Sequence, residues 1–298
     1  MTMSETNGKD ETHLVAPEAG LSTADRRDRV LELLRRSRFA SVANMATQFG
    51  VSEVTIRNDL DVLAEEGRIQ RVRGGAIHRA TVSLEASFEQ AEETLAEEKR
   101  AIAAAAAALV ESGQTVLLDS GTTTAAIARA LAARTDLHEV TVFTNGLRVA
   151  MELEPAIPQI TVVLAGGVLR KQQHSLVNPF GLTVWDRIHG HIAFLECQGI
   201  DAQAGVTHSN IAEAEIKRAI LSSGRYRVVV ADGSKVGQVG LVHVFGIDEI
   251  SLLLTDRTAD PGAIAALQDC DLDVRVAGES AADDVHSLPQ FLEHGRHS

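Results

Sequence analysis

A run of small polar residues after an apolar segment is the part of this sequence best suited to hold an anion. The apolar residues 115–118 lead directly into Asp119, Ser120, Gly121, Thr122, Thr123 and Thr124, and helical spacing follows over 125–132. A loop that enters a helix N-terminus presents backbone N–H groups, hydroxyls and the positive end of the helix dipole, which together hold a phosphate. A helix cap with spare hydroxyls has the same sequence, so both interpretations stay open.

Other apolar runs of this region also end in small or polar residues. The turns contain Thr144, Asn145 and Gly146; Gly166 and Gly167; Gly199 and Asp201; and Asp232, Ser234 and Lys235. Because ligands of open parallel sheets bind at the carboxyl ends of the strands, we expect such turns to converge on one crevice. Lys235 could neutralise a phosphate there, or it could be an ordinary solvated lysine.

A second group of residues is suited to reading DNA. With Ile56, Leu60 and Leu63 buried, a helix near 53–66 has an outward face with Glu53, Thr55, Arg57, Asn58 and Asp61. Arginine and asparagine match guanine and adenine edges, while arginines on a strand can meet phosphates or the minor groove. The candidate DNA contacts are Ser52, Thr55, Arg57, Asn58, Arg71 and Arg73. A small helical bundle with a solvated polar face is the alternative, which an arginine-rich hairpin beside it disfavours.

The segments around these residues predict a winged helix-turn-helix. Helical spacing covers 26–37, Ser41 and Ser52 are suited to cap two further helices, and Gly50 and Gly67 end them. Period-two segments at 69–73 and 76–79 flank the Gly74–Gly75 turn, which predicts a hairpin wing.

The remainder of the chain predicts an α/β domain. Apolar runs alternate with helical patterns, which is typical of a mainly parallel sheet covered on both faces. The runs are 115–118, 140–143, 160–164, 192–195, 227–231, 250–254 and 274–276. The predicted organisation is a disordered leader (1–21), a winged helix-turn-helix (22–79), a linker (80–96), an α/β sensor and oligomerisation domain (97–278) and a tail (279–298).

Charge and cysteine content limit the function classes. The 298 residues have a net charge of −13, yet 22–79 hold 11 Arg and no Lys against 8 acidic residues, a local charge of +3. DNA contact should therefore be confined to that block. No apolar run is long enough to span a membrane, and Cys197 and Cys270 form neither a disulfide framework nor a metal motif. The His189 and His191 pair has no third ligand nearby, so we expect no metal site. Together with the membrane and cysteine observations, this predicts a cytoplasmic protein without metal or cofactor.

The motifs in both regions resemble the DeoR family of bacterial transcriptional regulators. The helix-turn-helix resemblance is carried by Arg26, Val30, Leu34, Ser52, Thr55, Ile56, Arg57, Asn58, Asp59, Leu60, Gly67, Arg71, Val72, Arg73, Gly74, Gly75 and Ala76. That of the second domain is carried by the 119–124 segment, Thr144, Asn145, Gly146, Gly166, Gly167, Glu213, Ala214, Lys217, Asp232, Ser234 and Lys235. The family's effector domain is similar in fold to ribose 5-phosphate isomerase.

The resemblance implies a repressor of a carbohydrate-metabolism operon. It would bind a double-stranded operator as a homodimer or homotetramer, and a phosphorylated sugar or related metabolite would modulate it. Residues 120–124 would hold phosphate, and the rest of the effector site would be Asp119, Asn145, Gly146, Gly166, Gly167, Asp201, Glu213, Lys217, Asp232 and Lys235.

The sequence departs from the family pattern at a few positions. Asn58 stands where a second basic residue is more common, His191 where an aspartate is usual, and Glu196, Cys197 and Gln198 replace a small-residue turn. Two alternatives therefore remain. One is a regulator whose sensor domain has lost its ligand, and the other is a sugar-phosphate isomerase with Glu213 as base, although its full active-site set is not recognisable.

Overall fold

A computed structural model describes residues 21–37, 39–78, 86–178 and 180–278 of the chain. The predicted tail and the predicted leader, apart from Leu21, lie outside these ranges. No helix of the described ranges has the length and apolar character needed to cross a lipid bilayer.

The N-terminal region has the predicted winged helix-turn-helix architecture. Its elements are α1 (Thr23–Ser37), β1 (Phe39–Ser41), α2 (Val42–Phe49), α3 (Glu53–Glu65), β2 (Ile69–Val72) and β3 (Gly75–His78). The short strand β1 was not predicted. It pairs with β3 in a three-stranded antiparallel sheet, and a Cβ at Gly75 would lie 2.2 Å from the carbonyl oxygen of Ala40, so only glycine allows this close approach.

Local capping defines the ends of the two helices of the pair, as predicted. The Oγ atoms of Ser41 and Ser52 accept hydrogen bonds from the backbone N–H groups of Asn44 and Thr55, each at 3.1 Å. Gly50 ends α2 with a φ of 63°, a left-handed conformation that suits glycine.

The second domain is built on a seven-stranded parallel sheet. Its strand order is β15-β14-β12-β9-β4-β5-β6. These strands are β4 (Thr115–Leu118), β5 (Val140–Thr144), β6 (Ile160–Leu164), β9 (Gly190–Glu196), β12 (Gly224–Val230), β14 (Leu252–Asp256) and β15 (Val274–Ala277). All seven coincide with the predicted apolar runs, which confirms the α/β prediction.

Helices cover both faces of this sheet, and each face has its own apolar core. The alanine-rich α5 (Ala96–Ala108) packs on one face with α4 (Phe88–Glu93), α6 (Thr122–Ala132) and α7 (Leu147–Leu153). The other face carries α8 (Leu182–Trp185), α9 (Ile211–Ser223) and α10 (Pro261–Gln268), with Trp185 only 1% exposed. Part of the predicted linker 80–96 is thus helical, because Phe88 of α4 belongs to the core.

Two antiparallel additions interrupt the alternating pattern and were not predicted. A hairpin of β7 (Val168–Arg170) and β8 (Ser175–Val177) follows β6, and a small sheet combines β10 (Gly199–Asp201), β11 (Gly205–His208) and β13 (Val242–Phe245). Short 3-10 helices cover Glu154–Ala156, Gly233–Lys235 and Ile247–Glu249. The additions lie along the chain beside the carboxyl ends of β6, β9 and β12, where the predicted effector residues are found.

Candidate functional site

The inner face of α3 fixes how this helix is presented. Ile56, Leu60 and Leu63 are fully buried, as predicted. Asp59 is also buried, and its two carboxylate oxygens accept hydrogen bonds from Arg26 at 2.5 Å and Arg27 at 3.0 Å. Because both arginines belong to α1, this ion pair holds α3 against α1.

The outer face of α3 carries Arg57 and Asn58, both exposed. Arg57 forms an ion pair with Glu53 one turn earlier, at 2.6 Å. On the wing, Arg71 bonds Asp61 of the same helix at 2.9 Å and the carbonyl oxygen of Arg57 at 3.0 Å. The guanidinium groups suited to DNA therefore gather on one face, and carboxylates of α3 hold them there.

The remaining predicted DNA contacts have other partners within the chain. The hydroxyls of Ser52 and Thr55 are 2.9 Å apart, so both take part in the cap of α3. Arg73 lies 3.2 Å from Nε2 of His243 in β13. Val54, which is 61% exposed on the outer face of α3, was not among the predicted DNA contacts. A lone aliphatic side chain on an otherwise polar face was the available signal, since such a group can contact a thymine methyl.

Five predicted effector residues form a buried polar cluster at the carboxyl ends of β4 and β5. These are Asp119, Ser120, Asn145, Glu213 and Lys217, each no more than 4% exposed. Asp119 pairs with Lys217, and Ser120 contacts both Glu213 at 3.3 Å and Asn145 at 3.4 Å. Residues from three separate elements thus meet beside the 119–124 segment.

Burial governs the charges of this cluster. It raises the pKa of Asp119 to about 6, although the ammonium group of Lys217 acts in the opposite direction. Within the described ranges, Oδ1 of Asp119 and Oδ1 of Asn145 are buried without a hydrogen-bond partner. A buried acceptor without a donor is costly, so these two oxygens are suited to receive hydroxyl groups of a ligand.

Glu213 has partners that the sequence analysis did not identify. Arg170 of β7 donates to its carboxylate at 2.5 Å, and the hydroxyl of Ser175 in β8 donates to the same oxygen. Both partners come from the unpredicted hairpin, so no sequence signal linked them to Glu213. The arrangement makes Glu213 a fully engaged carboxylate.

A cavity of about 180 Å³ opens at the N-terminus of α6, and its lining includes none of the five cluster residues. Glu196, which lines it, links it to the cluster, because its backbone N–H donates to Oδ2 of Asp119 at 3.3 Å. The lining includes the predicted residues Thr122, Thr123, Asp232 and Lys235. It also includes Lys99 of α5, whose ammonium group donates to the carbonyl oxygens of Ala91 and Thr94 at the end of α4. Burial lowers the pKa of Lys99. The helical spacing of Lys99 with the buried Ile102 and Ala106 was a signal for its inward position.

The structure does not bring every predicted effector residue to this cavity. Asp201 accepts hydrogen bonds from the backbone of Gln203 and Ala204, both at 2.9 Å, and so closes the β10–β11 turn. Gly167 has a φ of 152°, and a Cβ there would lie 2.3 Å from the carbonyl oxygen of Val177. These two residues shape loops, and Gly166 precedes Gly167 in the same turn.

Three further predicted residues have clear local roles. Gly146 lies against the 119–124 segment, where a Cβ would be 3.1 Å from Cα of Ser120. Thr124 donates its hydroxyl to the carbonyl oxygen of Gly121 at 3.1 Å. Asp232 caps the 3-10 helix Gly233–Lys235 by accepting from the N–H of Ser234 at 3.1 Å.

The residues that depart from the family pattern, His191 and Glu196 in β9 and Cys197 directly after it, have defined contacts or burial. Nδ1 of His191 accepts a hydrogen bond from the backbone N–H of Thr115 at 2.9 Å. Cys197 is 1% exposed, and burial raises the pKa of its thiol to about 12. Glu196 turns its side chain toward the 119–124 segment, where Oε2 accepts from the N–H of Thr123 at 2.8 Å.

Sequence comparisons match both regions of the chain. The family model described as DeoR-like helix-turn-helix domain matches residues 26–81, and the model described as DeoR C terminal sensor domain matches residues 94–257. GolR of Listeria innocua is 32% identical over 256 residues, covering 85% of this chain and 98% of its own. The glycerol-3-phosphate regulon repressor of Escherichia coli (strain K12) is 30% identical over 249 residues, covering 84% of this chain and 97% of its own.

Solved structures give a weaker match. Ribose 5-phosphate isomerase A from Methanocaldococcus jannaschii has a TM-score of 0.36 at 18% identity, over 48% of this chain and 55% of its own. The sorbitol operon regulator SorC from Klebsiella pneumoniae has a TM-score of 0.37 at 14% identity, over 83% of this chain and 100% of its own.

Proposed function

The chain belongs to the DeoR family of transcriptional regulators, and we propose that it represses a carbohydrate-metabolism operon under the control of a phosphorylated sugar. The winged helix-turn-helix binds a double-stranded operator, and the α/β domain holds the effector. The observation that carries this proposal is the outer face of α3, where Arg57 and Asn58 are exposed beside the wing residue Arg71.

The two arginines have different tasks on DNA. Arg57 is near the N-terminal end of α3, the part of a recognition helix that enters the major groove, and we assign it to a base edge. Arg71 belongs to the wing strand β2 and is assigned to a phosphate. Each arginine exchanges an exposed carboxylate partner, Glu53 or Asp61, for DNA, and exposed ion pairs of this kind cost little to break.

Operator binding measured over a range of salt concentrations tests this assignment. The operator is first selected from random duplexes with the full-length protein. Arg57→Ala should weaken operator binding by about 1–3 kcal/mol and relax base preference at one position, while non-specific binding changes less. Arg71→Ala should weaken all duplexes similarly and lower the salt slope by about 1.

Arg100→Ala is the matched control for both variants. Arg100 forms an exposed ion pair with Glu97 at 2.7 Å, which resembles the Arg57–Glu53 pair but lies in α5. Its loss should leave DNA binding unchanged. If Arg57→Ala and Arg100→Ala bind the operator equally well, α3 does not read bases through Arg57.

The effector is assigned to the buried polar cluster and the adjoining cavity. The 119–124 segment and the N-terminus of α6 would bind the phosphate, and Asn145, Glu213 and Lys217 would face the sugar. A thermal-shift screen with phosphorylated sugars and their unphosphorylated counterparts tests this, because a ligand that binds only the folded state raises the unfolding temperature. A folded sample that no phosphorylated sugar stabilises would favour a sensor domain without a ligand.

The engagement of Glu213 favours a sensor over an isomerase. A base for enediol chemistry must accept a proton from the substrate, whereas Glu213 already accepts from Arg170, Ser175 and Ser120. We therefore assign Glu213 to positioning, and we expect no turnover of ribose 5-phosphate. A regulator that binds paired half-sites is expected to be a homodimer or homotetramer, and sedimentation of the full-length protein would test this oligomeric state. Its place of action would be the cytoplasm.

A further inference from the structure

The carboxylate of Glu196 occupies the N-terminus of α6. Glu196 is the last residue of β9, and its Oε2 atom lies 2.8 Å from the backbone nitrogen of Thr123, the second residue of α6. The first N–H groups of a helix have no partner inside the helix. The N-cap residue of α6 is Gly121, which has no side chain to supply one. Glu196 therefore provides the acceptor from another element of the fold.

Gly121 makes room for this carboxylate. Its φ of 147° is in the range that favours glycine, and a Cβ at this position would lie 2.3 Å from both Cδ and Oε1 of Glu196. Close approach of the backbone to an anion is the reason for glycine in phosphate-binding loops. The structure thus has an anion at the place where a phosphate would bind, and this anion belongs to the chain itself.

The charges around the cavity are balanced only because Glu196 is present. The charged residues of its lining are Lys99 and Lys235 against Glu196 and Asp232. The carboxylate of Asp232 is already engaged by Ser234. The charge of Glu196 raises the pKa of Lys99, in opposition to the larger lowering by burial. Without the charge of Glu196, the lining would have a net charge of +1.

A second observation points to a ligand beside this segment. The side chain of Asn145, 1% exposed, contacts Ser120 of the 119–124 segment through Nδ2 at 3.4 Å. Its Oδ1 atom is buried and has no hydrogen-bond partner in the described part of the chain. A hydroxyl donor next to the segment would satisfy it. Asn145 is not part of the cavity lining, so the segment offers an anion position at the start of α6 and a separate acceptor for a hydroxyl next to Ser120. A phosphorylated sugar has both of these groups.

We propose that Glu196 is a tethered competitor of the effector's phosphate for the N–H groups at the start of α6. This inference rests on the proposed effector class and adds how the site is regulated: the phosphate enters only when the Glu196 carboxylate leaves. Glu196 thereby sets the affinity of the sensor and excludes weakly bound anions. The carboxylate and the phosphate cannot share the position, since two anions in contact repel strongly in a partly buried site.

Two variants separate the charge of Glu196 from its capping role. Glu196→Gln keeps the length of the side chain and an oxygen that can accept from Thr123, but removes the charge. Glu196→Gly removes the side chain altogether. Glu139→Gln is the control, because it removes one exposed carboxylate just before β5. Glu139 lies at the amino ends of the parallel strands, whereas the 119–124 segment follows the carboxyl end of β4.

Calorimetric titration of the full-length proteins with inorganic phosphate, glycerol 3-phosphate and glycerol provides the readout. Both Glu196 variants should bind the two phosphate-containing probes at least about tenfold more tightly than wild type, which corresponds to about 1.4 kcal/mol. Glycerol binding should not change, and Glu139→Gln should behave as wild type. Glu196→Gln guards against a folding defect, since it retains the cap of α6.

The outcomes distinguish this inference from the proposed function. Equal phosphate affinity of wild type and both folded Glu196 variants would overturn the competition and leave the effector class intact. Weaker binding by Glu196→Gln would also overturn it, because Glu196 would then assist the ligand. If none of the proteins bound either phosphate probe while operator binding persisted, the competition would be overturned, because the start of α6 would not hold a phosphate even without Glu196; the effector class would then be decided by the thermal-shift screen with phosphorylated sugars.

Discussion

Replacement of Asp59 by asparagine should weaken the packing of α3 on α1 and destabilise the winged helix-turn-helix without touching the DNA-reading face. Asp59 is 2% exposed and lies on the inner side of α3, where Arg26 and Arg27 of α1 bind its two oxygens at 2.5 and 3.0 Å. Asp59→Asn keeps the size of the side chain but removes the charge that the two arginines share.

The expected loss is large compared with the stability of the domain. The side chain of Arg26 is 10% exposed and stays buried, whereas that of Arg27 is 28% exposed and can turn to water. Removal of one partner from a buried pair costs about 3–5 kcal/mol, and asparagine should give the lower end because it still accepts hydrogen bonds. At roughly 0.05–0.15 kcal/mol per residue, the free energy of unfolding of residues 22–79 is about 3–9 kcal/mol in total.

Amide hydrogen exchange of α3 measures this loss in the full-length protein. A loss of about 3 kcal/mol should accelerate the slowest α3 amides on the order of 100-fold. The chain has a single tryptophan, Trp185, which is buried in the sensor domain. The urea midpoint of the unfolding transition that its fluorescence reports should equal that of wild type. This result would confine the defect to the winged helix-turn-helix.

A control and a rescue variant make the test decisive. Asp28→Asn removes an exposed carboxylate of α1 that lies 3.4 Å from Arg68, and exposed pairs contribute about 0–1 kcal/mol. The double variant Arg26→Met with Asp59→Leu replaces both charges by apolar groups and should recover most of the stability. The reasoning fails if Asp59→Asn exchanges as slowly as wild type, or if Asp28→Asn has the same effect.

Three further predictions concern charges and thiols elsewhere in the chain. Lys217→Met should lower the urea midpoint of the tryptophan transition, because the buried carboxylate of Asp119 loses its cation. The pKa of Asp119 in the folded protein is about 6 even with Lys217 present, above its ordinary value of 3.8, so the folded state binds the proton more tightly than the unfolded state. The stability of the variant should therefore fall as the pH rises from 5 to 8. A urea midpoint that does not depend on pH would contradict this. In the native protein a thiol reagent should label the exposed Cys270 and spare Cys197, whose pKa of about 12 and burial keep it as the thiol, and both should react in denaturant. Glu53→Gln should raise the affinity for random duplexes more than that for the operator, because Arg57 reads a base in the operator but, once freed from Glu53, can also contact a phosphate of any duplex; an equal increase for both would argue against this.

The sequence was sufficient for the parts of the fold that depend on local patterns. The caps by Ser41 and Ser52 follow from residue type, and the seven strands of the parallel sheet follow from apolar runs that are buried on both sides. The hairpin β7–β8 and the sheet β10-β11-β13 were missed because their strands have only three or four residues. These strands are too short for a period to be recognised, and they lack the continuous apolar run that identified the equally short β4.

The residues of the candidate site that directly follow a parallel strand could be predicted from the sequence. Asp119, Ser120 and Asn145 follow β4 and β5, so parallel topology alone brings them together. Arg170 was missed, since its contact with Glu213 depends on how an irregular hairpin folds back over α9. Asp201 was assigned to the effector by its place after the predicted strand 192–195, but it is the last residue of the additional antiparallel strand β10, and its carboxylate closes a turn.

Both candidate sites meet their phosphate partners with carboxylates already in place. Arg57 and Arg71 are paired with acidic residues of α3, and the N-terminus of α6 is paired with Glu196. Binding of DNA or effector is therefore an exchange of one anion for another, and its free energy is the difference between the two. The exposed pairs on α3 are weak and give way to any well-placed phosphate, whereas Glu196 is fixed by β9 and Gly121 and gives way only to a stronger anion. In a chain with a net charge of −13, long-range attraction contributes little to finding DNA. Selectivity at the effector site must then come from the geometry in which the incoming phosphate replaces the carboxylate of Glu196, whereas selectivity on DNA comes from the base edge assigned to Arg57.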